Sequence, residues 1–167
     1  MQAEHPVSTA RFGLSALIRQ AVAHSLWPLM LGLDYATLEL YHAVGPRFDL
    51  SQLGSEVFRP SPRQVDLLLV GGVVNDKMAR VVRRLWEAMA QPRFVIAVGS
   101  GAVSGAPFGG SYSVGGGVDR VVPVDVYVPG DPPSPQAIIA AVELLSARIK
   151  AGELDVAPGM NGSAHAS

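Results

Sequence analysis

The sequence has no cysteine, no apolar run of membrane-spanning length and few charges: lysine, arginine, aspartate and glutamate together make up 16%, against roughly 25% in ordinary soluble domains. The missing cysteine excludes disulfides, thiol nucleophiles and thiolate-held zinc, yet leaves the compartment open, because cytosolic chains need no cysteine either. The longest unbroken apolar stretches, such as residues 26–33, fall far short of the ~20 residues that cross a bilayer. Near the start stand Glu4, His5 and Pro6 where a secretory leader carries a basic and then an apolar segment, so no leader is expected. A formal net charge of -1 without any Lys/Arg run offers no field to a phosphate backbone and argues against nucleic acid as a partner.

What is present is apolar. Hydrophobic residues make up 49% of the 167, enough for one domain with a proper core and some apolar surface left for partners. The expected organisation is a flexible stretch over residues 1–9, one α/β domain over 10–152, and a small, polar, aperiodic tail over 153–167 that is expected to be disordered.

Phe12, Leu14, Leu17, Ile18, Ala21 and Val22 recur at helical spacing, predicting an N-terminal amphipathic helix over residues 11–26 that Pro28 ends. Its apolar stripe either packs on the domain or lies against a membrane-embedded partner or the lipid interface. A short second helix is expected from Asp34, an N-cap type of residue, to about Ala43, before Gly45-Pro46. Residues 65–72 and 93–100 are continuous apolar runs of the kind buried on both faces of a parallel sheet. Between them, residues 76–91 carry Met78, Val81, Val82, Leu85 and Met89 on one stripe, a crossover helix. A third strand is expected over 121–128. Ser134-Pro135 then opens a helix that buries Ile138, Val142, Leu145 and Ile149 and stops at Gly152.

Strands alternating with helices predict an open sheet whose ligands bind beyond the strand C-termini. Those termini carry Gly71-Gly72, the glycine-rich residues 99–117 and the turn 129–133. Residues 99–117 hold eight of the 18 glycines and are expected to form a long loop. Gly99-Ser100-Gly101 with Gly105 is a loose dinucleotide fingerprint that fails on context, since Pro107, Gly109, Gly110 and Gly115 to Gly117 oppose the helix that should follow. Gly71-Gly72 is a better-placed anion cradle, although two glycines after a strand are more often a plain turn. His5, His24, His42 and His165 are scattered without metal-ligand pairing.

The ordered blocks carry a resemblance. Trp27-Pro28 with Gly32-Leu33 and Glu39, Arg59-Pro-Ser-Pro-Arg-Gln-Val-Asp66, Asn75-Asp-Lys-Met-Ala79, Tyr112-Ser113-Val114, and Val118-Asp119-Arg120 running to Pro129-Gly130 resemble the B subunit of NADH-quinone oxidoreductase (respiratory complex I), itself similar to the small subunit of nickel–iron hydrogenases. The similarity covers about Phe12 to Lys150. It implies a flavodoxin-like open parallel sheet with helices on both faces. It also implies a last [4Fe-4S] cluster before quinone, contact with D-type, H-type and I-type subunits, and a place on the cytoplasmic face of a bacterial-type membrane, held there by those partners.

The family's ligand cysteines fall on Tyr35, Ala36, Gly101 and Asp131. Two of these have no side-chain donor, whereas a cubane needs four anchors, so no cluster or other cofactor is expected. Asp131 is expected to cap local backbone N–H groups in an Asx-type turn, and Tyr35 to fill vacated volume. Phe58, Arg59 and Arg63 match a stretch near the family's quinone cavity, where the arginines would pair with carboxylates across a subunit interface; without a partner they are ordinary solvated cations. Two functions follow: a cluster-free structural subunit of a complex I-like quinone-reducing, proton-translocating assembly, and, alternatively, a flavodoxin-like module that binds a nucleotide or flavin at the old cluster edge.

Overall fold

The computed structural model describes residues 7–45, 61–154 and 156. Four parallel strands, β1 (Pro28–Gly32), β2 (Leu67–Gly71), β3 (Phe94–Val98) and β4 (Val126–Val128), lie side by side in that order. The register pairs Leu67 with both Pro28 and Phe94, and Ile96 with Val126. β2 and β3 are buried at every residue, as their uninterrupted apolar runs require of strands covered on both faces.

Period-2 alternation sends their side chains to two cores. Leu67, Leu69, Phe94, Ile96 and Val98 meet helices α1 (Val7–His24), α2 (Ala36–Val44) and α5 (Pro135–Ala151), with Leu40, Ile138, Val142, Leu145 and Ile149 buried there. Leu68, Val70, Val95 and Ala97 meet α3 (Asp76–Ala88) and α4 (Gly99–Ser104), through Val82, Ala102 and Met89 just past the end of α3. The fold is therefore the expected α/β sandwich with helices on both faces of a parallel sheet.

Local chemistry sets the boundaries. The Asn75 side chain accepts from Met78 N (2.9 Å) to start α3, and Ser134 accepts from Ala137 N with Pro135 next in line to start α5. Gly152 (φ 79) ends α5 in the left-handed region. Beyond it, Glu153 pairs with Arg148 (3.1 Å) and Val156 is buried in the first core.

Several expectations are corrected. Pro28 does more than end α1: it opens β1, a strand the sequence reading did not include, in the first-residue edge position where a missing N–H does no harm. β4 is three residues long, far shorter than 121–128. Pro123 has no N–H, and the Asp125 carboxylate, in place of a backbone carbonyl, accepts from Val95 N (2.8 Å), so the ladder stops there. Residues 99–104 are helical where a loop was expected, because Gly99 (φ 87) turns directly from β3 into α4, and Gly105 (φ 82) closes that helix one and a half turns later. The stripes are also narrower than periodicity implied. Leu14, Leu17 and Val81 are exposed, while Ala23 near the end of α1 and Leu26 just beyond it are buried. No helix among the described residues is long and apolar enough to cross a membrane.

Candidate functional site

The C-terminal ends of the four strands converge, and backbone bonds lace them together. Leu33 N donates to Gly71 O (2.8 Å), Gly72 N to Val98 O (3.3 Å) and Ser100 N to Gly130 O (2.8 Å). One side chain adds to this lacing. Asp34, just past β1, accepts from Ala36 N through Oδ1 (2.9 Å) and from Val73 N through Oδ2 (2.9 Å), so a single carboxylate spans the loops after β1 and β2. Gly72 (φ 93) passes directly against this carboxylate, and a Cβ there would overlap Asp34 Cγ. The Gly71-Gly72 turn itself donates no hydrogen bond to an anion: Gly72 N is spent on Val98 O, and the turn makes room for the chain's own Asp34 carboxylate, which Ala36 N and Val73 N hold.

The four positions singled out from the sequence all lie at this edge, but in unlike surroundings. Tyr35 is 45% exposed at the N-terminus of α2, whereas Ala36 is buried, its methyl 3.6 Å and 3.5 Å from where side chains on Gly71 and Gly99 would begin. Gly101 is buried within α4, and a Cβ on it would fall 2.7 Å from Val73 N and 2.9 Å from Gly72 C. Real side chains do not approach backbone atoms that closely, and backbone, unlike a side-chain tip, cannot swing aside. Asp131 is exposed in the turn after β4. Its expected Asx-type turn is not formed among the described residues; Asp34 plays that role instead. Tyr35, expected to fill space at this edge, is turned substantially to solvent, while Ala36 packs between Gly71 and Gly99.

Arg63 sits in a 3-10 turn, Pro62–Gln64, ahead of β2. It is exposed at the N-terminal edge of the sheet, opposite the four converging loops. Phe58 and Arg59 lie outside the described residues. The carboxylates with displaced pKa values are at the same remote edge: burial pushes Asp66 and Asp125 up, with the Val95 hydrogen bond and Arg148 partly opposing it at Asp125. Their place before β2 and β4 marks them as structural groups. Among the described residues no three histidines or carboxylates gather as a metal site. His42 only approaches Glu39 on its own helix (3.6 Å).

Sequence reasoning took Asp34 for a local helix cap and missed its second partner. The available signal was an aspartate just beyond one strand paired with a double glycine beyond the next.

Comparison with known proteins supplies the lineage of this arrangement. Residues 36–145 match the family described as NADH ubiquinone oxidoreductase, 20 Kd subunit. The chain belongs to that family. Relatives that carry the name of the NADH-quinone oxidoreductase B subunit include one from Heliobacterium modesticaldum, 47% identical over 82% of this chain and 78% of its own. Others come from Clostridium beijerinckii, 48% identical over 76% of this chain and 75% of its own, and Carboxydothermus hydrogenoformans, 49% identical over 75% and 76%. Among solved structures, a chain of the membrane-bound sulfane sulfur reductase, an archaeal respiratory membrane complex, superposes with a TM-score of 0.78 at 31% identity, covering 84% of this chain and 79% of that one.

Membership in the 20 Kd subunit family raises the question of whether these residues fit a [4Fe-4S] group. They do not. Of the four positions that the resemblance sets against the family's ligand cysteines, two offer oxygen donors, Tyr35 and Asp131, and both are exposed; Ala36 and Gly101 offer none, and at Gly101 the backbone of the neighbouring loop stands where a side chain would begin. A cubane takes four anchors, as a rule thiolates.

Proposed function

We propose that this member of the 20 Kd subunit family is a cluster-free structural subunit of a complex I-like membrane assembly. It docks D-type, H-type and I-type subunits at the junction of the peripheral and membrane arms, on the cytoplasmic face, and carries no electrons itself. The observation that carries this is Gly101 lying against the Gly72-Val73 backbone. The site has lost its thiolates and also the space for one of them, while the sheet and both cores that shape the subunit are intact. Exposed apolar side chains support the docking role: Leu14 and Leu17 on α1, and Tyr35, Leu38 and Tyr41 at and along the outer side of α2.

In such an assembly the chain supplies shape and contact surface, and electrons travel by other subunits. Quinone chemistry, if present, belongs to the assembly as a whole, with Phe58, Arg59 and Arg63 as this chain's candidates for that boundary. Two measurements test the reading. The purified chain is reconstituted anaerobically with iron and sulfide; the expected spectrum lacks visible thiolate-to-iron absorption, and a stoichiometric cubane EPR signal sinks the proposal. A tagged copy expressed in its own host is expected to sediment with membranes and to retain D-type and H-type subunits, whereas a soluble yellow monomer would favour the flavin-binding alternative.

A further inference from the structure

We propose that Asp34 is a positioning residue: by holding the Val73 amide it sets the backbone of the β2–α3 loop against Gly101, and so both ties the strand ends together and keeps position 101 closed to any side chain. The proposal rests on the cluster-free reading and gives it a mechanism.

Each oxygen of Asp34 has its own donor, Ala36 N and Val73 N, both at 2.9 Å. Hydrogen bonds to an ionised acceptor are the strong ones. The two donors belong to different loops, and the sequence separation between Asp34 and Val73 is 39, so the contact is a cross-link between β1 and β2 that no local turn would provide.

Val73 is also the residue whose backbone N and Cγ2 lie nearest a Cβ placed on Gly101, at 2.7 Å and 2.8 Å. One residue is thus held by Asp34 and abutted by α4. The lacing continues through Ser100 N and Gly130 O, so a continuous series of contacts runs Asp34, Val73, Gly101, Ser100, Gly130 across all four strand ends. A cluster bonded to the loops after β1, β3 and β4 would tie this edge by covalent anchors; here carboxylate-to-amide and backbone contacts do so. Position 72 must be glycine for the same reason, because a Cβ there would overlap the carboxylate.

The experiment is a double-mutant cycle on the full chain with amide hydrogen exchange as a second readout. Asp34→Ala is expected to raise exchange of the Val73 amide by at least about tenfold while leaving the Met78 amide, capped independently by Asn75, unchanged. Gly101→Ala is expected to shift the unfolding equilibrium less in the Asp34→Ala background than in the wild type, by about fivefold or more. Additive effects, or equal loss of protection at Val73 and Met78, would overturn the proposal by reducing Asp34 to a contributor to global stability. Should Asp34→Ala not fold, Asp34→Asn keeps the shape with one acceptor oxygen, and protection is expected to fall at only one of the Ala36 and Val73 amides; protection unchanged at both overturns it equally. Uptake of a cubane by the wild-type chain would instead sink the cluster-free reading, so the two failures are distinguishable.

Discussion

Gly101→Ala adds one methyl group at a crowded point of the strand-end edge, 2.7 Å from Val73 N. In an ordinary helix the change stabilises by about 1 kcal/mol, because alanine loses less backbone entropy on folding. Gly101 is helical and outside the left-handed region, so this gain applies. Against it stands overpacking, typically about 1–3 kcal/mol, and the upper part of that range applies here because two of the atoms met, Val73 N and Gly72 C, are backbone. The net is a destabilisation of about 1–2 kcal/mol, and at roughly 2–4 °C per kcal/mol for a chain of this size the melting temperature should fall by about 2–8 °C. Gly115→Ala is the matched control. Its Cβ would meet only Asp76 Oδ1, at 3.8 Å, again outside the left-handed region, so it should be neutral or stabilising by about 0.4–1 kcal/mol. Thermal unfolding followed by circular dichroism, with urea titrations at fixed temperature, compares the three proteins. A Gly101→Ala variant that melts at or above the wild type refutes the claim that the neighbouring loop closes the site.

Other outcomes can be checked with the same methods. Replacing Tyr35, Ala36, Gly101 and Asp131 together by cysteine should yield a destabilised chain that takes up far less than one [4Fe-4S] per molecule on anaerobic reconstitution, read by iron analysis and EPR. Asn75→Ala removes the cap of α3 and should cost about 1 kcal/mol in urea unfolding, and Leu145→Ala, at a fully buried site of the first core, about 2–5 kcal/mol. Asp125 has its native pKa raised above 3.8, chiefly by burial. The native state therefore holds this proton more tightly than the unfolded chain, and its contribution to stability is full below 3.8 and declines as pH rises through the raised native value. Asp125→Asn should remove that decline and, at neutral pH, leave the melting temperature equal or higher; a large loss at neutral pH would mean that the Val95 hydrogen bond and the attraction of the Arg148 charge outweigh desolvation.

The fold was legible where one residue type dominates a segment. The all-apolar runs of β2 and β3 permit little except strands buried on both faces, and Ser134-Pro135 with Gly152 delimits α5 almost to the residue. It was illegible where local signals conflict. The three apolar residues after Pro28, followed by Gly32, have no period of their own, and become β1 only because β2 offers a free edge. The alternating valines of 121–128 look like a long strand, yet Pro123 and the Asp125 side chain shorten it to three residues. Glycines over 99–117 suggested a loop throughout, but Gly99 and Gly105 turn the chain into and out of α4 and the residues between them are helical, while Gly110 and Gly116 serve the turns that follow.

Ligand chemistry was determined by the sequence alone. A chain without cysteine cannot supply a thiolate ligand set under any folding, because donor atoms are a property of composition. Whether Tyr35, Ala36, Gly101 and Asp131 enclose a cavity, a wet pocket or packed backbone was decided only by tertiary structure. That outcome depends on where Val73 sits relative to Gly101, and the Asp34 carboxylate that holds it is far away in sequence; such contacts are chosen by the closure of the sheet as a whole rather than by any local preference.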